Sequence, residues 1–155
     1  MLIRIQHILR MAYGHIEMFL YRSFLHYISH KPAAENVDSR SYACAAACVN
    51  VSRNIVHLTA EMNRRKMLRG SYWFYMYTTF FAILSLLFYV FENPESASSP
   101  EILKDINEGK STLAELAPTS LAADKCTQYL NVGNDHHRSS EADLLRISSL
   151  IYPTD

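Results

Sequence analysis

Glycine is scarce in this sequence, with four residues in 155, and we find no catalytic signature. A phosphate-binding loop uses several neighbouring glycines, because side chains would keep the backbone away from the phosphate. Neither such a loop nor the G-x-S-x-G turn of serine hydrolases occurs, and no Cys–His catalytic signature is visible. The sequence gives no positive case for an enzyme, and we expect no catalytic residue.

Cysteine is also scarce, and its three copies are Cys44, Cys48 and Cys126. Three cysteines cannot all pair, and the first residues lack the apolar core and cleavage site of a secretory leader. We therefore predict a reducing compartment. A structural zinc site needs four ligands, usually in close pairs, and nothing supplies a second pair for Cys44 and Cys48. We interpret both as small residues of an apolar seam.

Histidine offers two further candidate metal sites. His26 and His30 lie one helical turn apart, but no acidic partner follows them in an H-E-x-x-H arrangement. The run Asp135-His136-His137 lies in a segment that we expect to be mobile, where only an adventitious metal contact is supported. We therefore predict no metal site and no cofactor.

Charge of either sign is missing from the middle of the chain. Residues 1–70 hold ten Lys/Arg against four Asp/Glu, residues 71–91 hold none, and residues 92–155 hold five against eleven. Solvated helix faces explain this imbalance. The alternative is a positive-inside signal for a membrane span, with the cations of residues 64–69 as anchors. The other basic residues are scattered, which argues against a nucleic-acid patch.

The longest apolar stretch is residues 71–91, with the sequence SYWFYMYTTFFAILSLLFYVF. It contains ten of the chain's 18 aromatic residues and ends before Asn93-Pro94. A helix of this length spans roughly 30 Å, enough either for a membrane or for the centre of a helical core. We favour the core helix, because the neighbouring helices each present an apolar face that needs a partner.

Apolar periodicity predicts four more helices, at residues 2–28, 41–68, 101–116 and 119–130. We find no strand and no internal repeat. The sequence therefore predicts an all-α fold, a bundle of about five helices around the central apolar helix. The periodicity fails from Asn131, so we expect a helical domain at 1–131 and a disordered tail at 132–155, with a short apolar patch at 144–151.

The same periodicity predicts which faces are buried. In the first helix the predicted core face carries Ile5, Leu9, Ala12, Ile16 and Phe19, with Leu20 and Phe24 beside it. In the second the seam carries Cys44, Cys48, Val51, Ile55, Leu58 and Met62, and Gly70 is the expected C-terminal cap. The fourth buries Ile102, Ile106 and Leu113, with Gly109 as a weak point, and the fifth buries Leu121, Ala122, Cys126, Tyr129 and Leu130.

Three segments stand out together: LRMAYGHIEMFLYRSFLHYIS at 9–29, the run from CVNVSRNI to FENP at 48–94, and EILKDINEGKSTLAELAPTSLAADKCTQYLN at 101–131. In this order they resemble the fungal-specific transcription factor domain, the middle homology region that follows the binuclear zinc cluster in fungal regulators. The most telling pieces are LYRSFLHY, the run from SRNI to SYWF, and LAADKCTQYLN. None is a catalytic motif, so the specificity lies in their order and spacing.

The resemblance implies an all-helical, non-catalytic regulatory module of a nuclear transcription factor, whose apolar segment is a buried core helix. It implies action through protein partners, self-association or an unidentified effector. It also implies contact with DNA only through a separate zinc-cluster domain, to which the family's zinc belongs.

The sequence departs from the family pattern in three ways. Ser23 stands where the family usually has proline, the six-cysteine cluster is absent, and the pattern cannot be followed beyond Asn131. The chain therefore looks like a fragment of a regulator. The alternative, from a different class, is a small single-pass membrane protein with residues 71–91 as its transmembrane helix.

Overall fold

A computed structural model describes residues 2–28, 39–68 and 73–132, and these residues form five α-helices and no strand. The helices are α1 (Leu2–Tyr21), α2 (Ser39–Arg64), α3 (Trp73–Glu92), α4 (Ser99–Leu116) and α5 (Leu121–Val132). Two 3-10 segments complete the fold, Arg22–Ile28 after α1 and Ala117–Thr119 between α4 and α5. The predicted all-α bundle is confirmed.

The helix predicted at 2–28 is wrong in its last quarter, because the chain winds into the 3-10 segment from Arg22 onward. Most residues of that segment, RSFLHYI, are serine, aromatic or β-branched, and these have weaker α-helix propensity than the residues of α1. The segment packs against α2 and α3 and buries Leu25 in the core. Tertiary packing therefore sets its conformation.

Helix α2 ends at Arg64, four residues earlier than predicted, and Gly70 is not its cap. Lys66 adopts a left-handed conformation with a φ of 53°. Its backbone N–H donates to the Asn63 carbonyl (2.8 Å), and the N–H of Met67 donates to the Met62 carbonyl (2.9 Å). These two bonds form a Schellman motif, with a lysine where glycine is usual.

Helix α3 is the core helix. Among the described helices only α3 is long and apolar enough to cross a membrane, but 61% of its most apolar part is buried within the fold. Helices α2, α4 and α5 all pack against it. The prediction of a central apolar helix is confirmed, and the fold gives no support to the transmembrane alternative.

Helix α1 packs antiparallel to α2. The Cys48 thiol lies 3.9 Å from the Met18 carbonyl at one end, and Gly14 faces Ile55 nearer the middle. A Cβ atom at Gly14 would come within 3.3 Å of Ile55 Cγ1, so the missing side chain lets the two helices approach closely. Helix α2 also contacts α3 and α4 and shares the centre of the fold with α3.

The predicted core face of α1 is wrong, because the opposite face is buried. Ile5, Leu9, Ile16 and Phe19 are 46–65% exposed. The residues that face α2 and the core are His7, Met11, Gly14 and Met18. Helix α1 has apolar residues on both sides, and the side that packs is the one on which glycine and flexible methionines fit α2 closely.

The other predicted faces are correct in most positions. In α2 the residues Cys48, Ile55 and Met62 are buried, and in α4 the residues Ile102, Ile106 and Leu113 are buried. The other half of the α2 seam is half-buried, namely Cys44, Val51 and Leu58. In α5 the residues Cys126 and Leu130 are buried, Ala122 is half-buried, and Leu121 and Tyr129 are exposed.

Gly109 is a packing point rather than a weak point of α4. A Cβ atom there would lie 2.9 Å from Ile83 Cδ1 and 3.2 Å from Val56 Cγ1. Helices α2, α3 and α4 therefore meet at this glycine.

Some predictions lie outside the described residues. Helix α5 extends to Val132, one residue into the predicted tail. His30, Asp135-His136-His137 and the patch at 144–151 all lie beyond the described ranges.

Candidate functional site

The two cysteines weighed as metal ligands lie in the packed part of α2. Cys44 is half-buried and Cys48 is fully buried. Burial raises the pKa of the Cys48 thiol to about 12. A thiol that keeps its proton is a poor metal ligand, since the thiolate is the binding form. This geometry supports a packing role for Cys48, and the absence of a metal site here remains a prediction.

The histidine candidate is only partly described. His26 is exposed in the 3-10 segment, and its ring lies 4.0 Å from the ring of Tyr27, centroid to centroid. Residues four apart lie one turn apart only on an α-helix, and His26 lies in a 3-10 segment, so the one-turn spacing predicted for His26 and His30 loses its basis.

A polar seam joins α2 to α4, and we define it by Arg53, His57, Glu101, Asp105 and Glu108. Arg53 contacts Glu101 (Nη2–Oε1, 2.9 Å) and donates from Nε to Asp105 Oδ2 (2.5 Å). The two ring nitrogens of His57 face different carboxylates. Nε2 lies 3.4 Å from Asp105, and Nδ1 lies 3.0 Å from Glu108.

The electrostatics of this seam are those of an ion-pair network. Asp105 is 5% exposed, so its carboxylate needs partners within the protein. The pKa of Arg53 is raised, chiefly by its hydrogen bonds to Asp105 and then to Glu101. The partners occur in the same order along both helices, because Asn63, further along α2, donates to Glu115, further along α4 (2.7 Å). Helices α2 and α4 therefore run parallel.

His57, Asp105 and Glu108 are also close enough to be tested as a metal site. Their ligand atoms all lie within 4.8 Å of one another. A single ion takes only one ring nitrogen of a histidine, whereas here each nitrogen faces its own carboxylate. Asp105 is already bonded to Arg53, whose charge repels a cation. The arrangement fits a set of ion pairs that joins two helices better than it fits a metal centre.

The sequence does not predict this seam, because the two halves of the seam are distant in the chain. Arg53 and Asp105 are 52 positions apart, and neither belongs to a motif. The available signal was the spacing of Glu101, Asp105 and Glu108, which places three acids on one face of α4. Their cationic partners on α2 are identified only by the packing of the two helices.

An open groove of about 800 Å³ lies between α1 and α2. One ion pair lies within its wall: Glu61 contacts Arg65, and also Arg64, and the pKa of Glu61 is lowered chiefly by Arg65. Glu17 raises the pKa of Tyr13 through its charge and a hydrogen bond. Arg10 and Asn54 also line the groove, so the Glu61–Arg65 ion pair accounts for only part of its polar lining.

His7 also borders the groove. Both of its ring nitrogens are buried and have no hydrogen-bond partner among the described residues. Because those atoms are inaccessible from the groove, they do not form a ligand site.

The outward side of α1 carries more exposed large apolar side chains than any other helix among the described residues. We call it the α1 outer face; it consists of Ile5, Ile8, Leu9, Ala12, Tyr13, Ile16, Phe19 and Leu20. Its large side chains are 38–65% exposed. Contiguous apolar patches of this kind mark sites of protein or membrane contact. The α1 outer face is suited to non-covalent docking and contains no group for chemistry.

Fungal transcription regulators are similar to this chain over most of its length. The "Activator of stress genes 1" of Saccharomyces cerevisiae is 38% identical over 133 residues, which cover 83% of this chain. The "Activator of stress genes protein 1" of Candida albicans is 32% identical over 139 residues, or 79% of this chain. A "Putative transcriptional regulatory protein" of S. cerevisiae is 30% identical over 120 residues, or 74% of this chain.

The chain spans only 14–16% of the length of these curated relatives. No family model matches it, and no solved structure matches it. These similarities support a role in transcription regulation.

Proposed function

We propose that this chain is a non-catalytic part of the regulatory domain of a fungal transcription factor, of the kind found in the middle homology region of zinc-cluster regulators. The observation that carries the proposal is its similarity to two activators of stress genes over 83% and 79% of its length. The nucleus is then its place of action. DNA contact would come from a separate zinc-cluster domain.

The structure adds physical support for a role in binding other proteins. The acids and bases of the α2–α4 seam are engaged with one another, and Glu61 of the groove pairs with Arg64 and Arg65. Seven of the fifteen exposed large apolar side chains of the described residues lie on the α1 outer face. This arrangement suits a module that acts through contacts with protein partners.

A segment exchange tests the proposal. The aligned 133-residue segment of the S. cerevisiae activator is replaced by this chain, and transcription of a reporter that the activator controls is measured. We expect the chimera to restore expression lost on deletion of the segment. A chimera carrying Ile83→Asp, which places a charge at a fully buried position, serves as the matched control and should fail. A stable chimera no more active than the deletion would refute the proposal.

A further inference from the structure

Five of the eight residues of the α1 outer face are arranged symmetrically about Ala12. Four residues before and after it lie Ile8 and Ile16, and seven residues before and after it lie Ile5 and Phe19. With 3.6 residues per turn, these five positions fall within an arc of about 80° of the helix surface. The result is one straight stripe with a small residue at its midpoint.

We propose that a second copy of this chain docks on the α1 outer face, with the two α1 helices antiparallel and a two-fold axis at Ala12. The stripe is then its own complement. Ile8 of one copy lies against Ile16 of the second copy, and Ile5 lies against Phe19. A two-fold interface of this kind uses the same patch on both subunits, which the symmetry of the stripe provides.

The exposed area matches the requirement for such a dimer. The seven large side chains of the face are 38–65% exposed. At about 200 Å² for a fully exposed large side chain, the four large residues of the stripe present roughly 400 Å², and Leu9, Tyr13 and Leu20 beside it bring the whole face to roughly 800 Å². A standard interface buries about 800 Å² on each partner. Ala12, at the axis, lets the helix axes approach closely.

The charges of α1 permit this contact. None of the stripe residues is charged, so pairing would bury no unpaired ion. The Arg22 guanidinium lies 4.4 Å from the centre of the Phe19 ring, at the edge of the face. Glu17 lies off the stripe, and its charge raises the pKa of Tyr13.

The first test is the mass of the full 155-residue chain, measured by light scattering from about 1 to 100 µM. The monomer is 17.8 kDa, and we expect twice that mass at the upper end. Ile16→Glu should shift the protein to monomer with unchanged helical circular dichroism, since Ile16 is 57% exposed. The matched control is Leu121→Glu, at a site 73% exposed on α5, which should remain dimeric.

The second test reports geometry even if a charged variant folds poorly. Ile8→Cys and Ile16→Cys are made in a Cys44→Ser background, since the other two cysteines are buried. The antiparallel arrangement predicts a disulfide-linked dimer when the two variants are mixed and little when either is oxidised alone.

Three results would overturn the proposal. They are a chain that stays monomeric over the whole concentration range, a dimer lost in Leu121→Glu but not in Ile16→Glu, and self-crosslinking of Ile8→Cys alone. If the chain stays monomeric and its outer face binds neutral phosphatidylcholine vesicles, the first of these results assigns that face to a lipid surface instead of a second copy.

Discussion

Gly109→Ala probes how closely α4 approaches the two central helices. The new Cβ atom would lie 2.9 Å and 3.0 Å from the Cδ1 and Cγ1 atoms of Ile83, and 3.2 Å from Val56 Cγ1. Both neighbours are 0% exposed, so neither has free space into which to retreat. The substitution therefore forces a movement of packed side chains or of α4 itself.

Two opposing effects set the size of the change. Replacing glycine by alanine inside a helix is worth about 1 kcal/mol in helix propensity. Adding a methyl group to a filled core typically costs about 1–3 kcal/mol. We therefore expect the free energy of unfolding to fall by about 1 kcal/mol, because the steric cost exceeds the gain in propensity.

Urea denaturation followed by circular dichroism measures this change. Ala114→Gly, at an exposed position of the same helix, gives the propensity contribution separately. The double variant Gly109→Ala/Ile83→Val removes the closest clashing atom, so its cost should be smaller than the sum of the two single costs. If Gly109→Ala raised stability by the full propensity gain, the inference that Ile83 and Val56 leave no room for a methyl group at this site would be refuted.

Three further variants test other features by the same unfolding measurement. Arg53→Met should lower stability by about 2 kcal/mol, because it leaves the buried Asp105 carboxylate without its guanidinium. Lys66→Gly should raise it by about 1 kcal/mol, because glycine adopts the left-handed conformation without strain. Burial, and next the charge of Arg22, lower the pKa of His15, so stability should fall as the pH drops below about 6.5, less steeply in His15→Gln.

The Arg53 and Lys66 variants each have a control. Glu101→Gln, at an exposed partner of Arg53, should cost less than about 0.5 kcal/mol. Lys66→Ala keeps a Cβ atom and should change stability by only a few tenths of a kcal/mol, which separates the backbone effect from loss of charge. Stability falls rather than rises as the pH drops below about 6.5, because the pKa of His15 is lowered in the folded chain and the unfolded chain therefore binds more protons at that pH. Equal pH slopes for wild type and His15→Gln would contradict it.

The sequence alone determined the helical class and the position of the core helix. An uncharged run the length of α3, bounded by Asn93-Pro94, predicts a helix whatever surrounds it, because its composition and its stop signal are local. The buried faces of α2 and α4 were also predictable in large part. Their polar positions are clearly separated from their apolar ones, so only one face can be buried.

The tertiary structure decided which side of α1 is buried and where α2 ends. Helix α1 is apolar on two sides, and periodicity cannot distinguish the stripe through Ile5 and Ile16 from the side through Met11 and Gly14. The choice depends on fit to Ile55 of α2, which is a property of two helices together. Lys66 likewise forms a left-handed cap, against its intrinsic preference, because the N–H groups of Lys66 and Met67 donate to the carbonyls of Asn63 and Met62 and close the turn there.

The polar seam between α2 and α4 was beyond prediction for the same reason. Arg53 and His57 meet Asp105 and Glu108 across two helices whose parallel alignment is fixed by packing around Gly109. Local sequence specifies which residues become helical and which of them are apolar, because those properties depend on near neighbours. The pairing of distant side chains depends on how closely whole helices approach, and only the folded chain determines that distance.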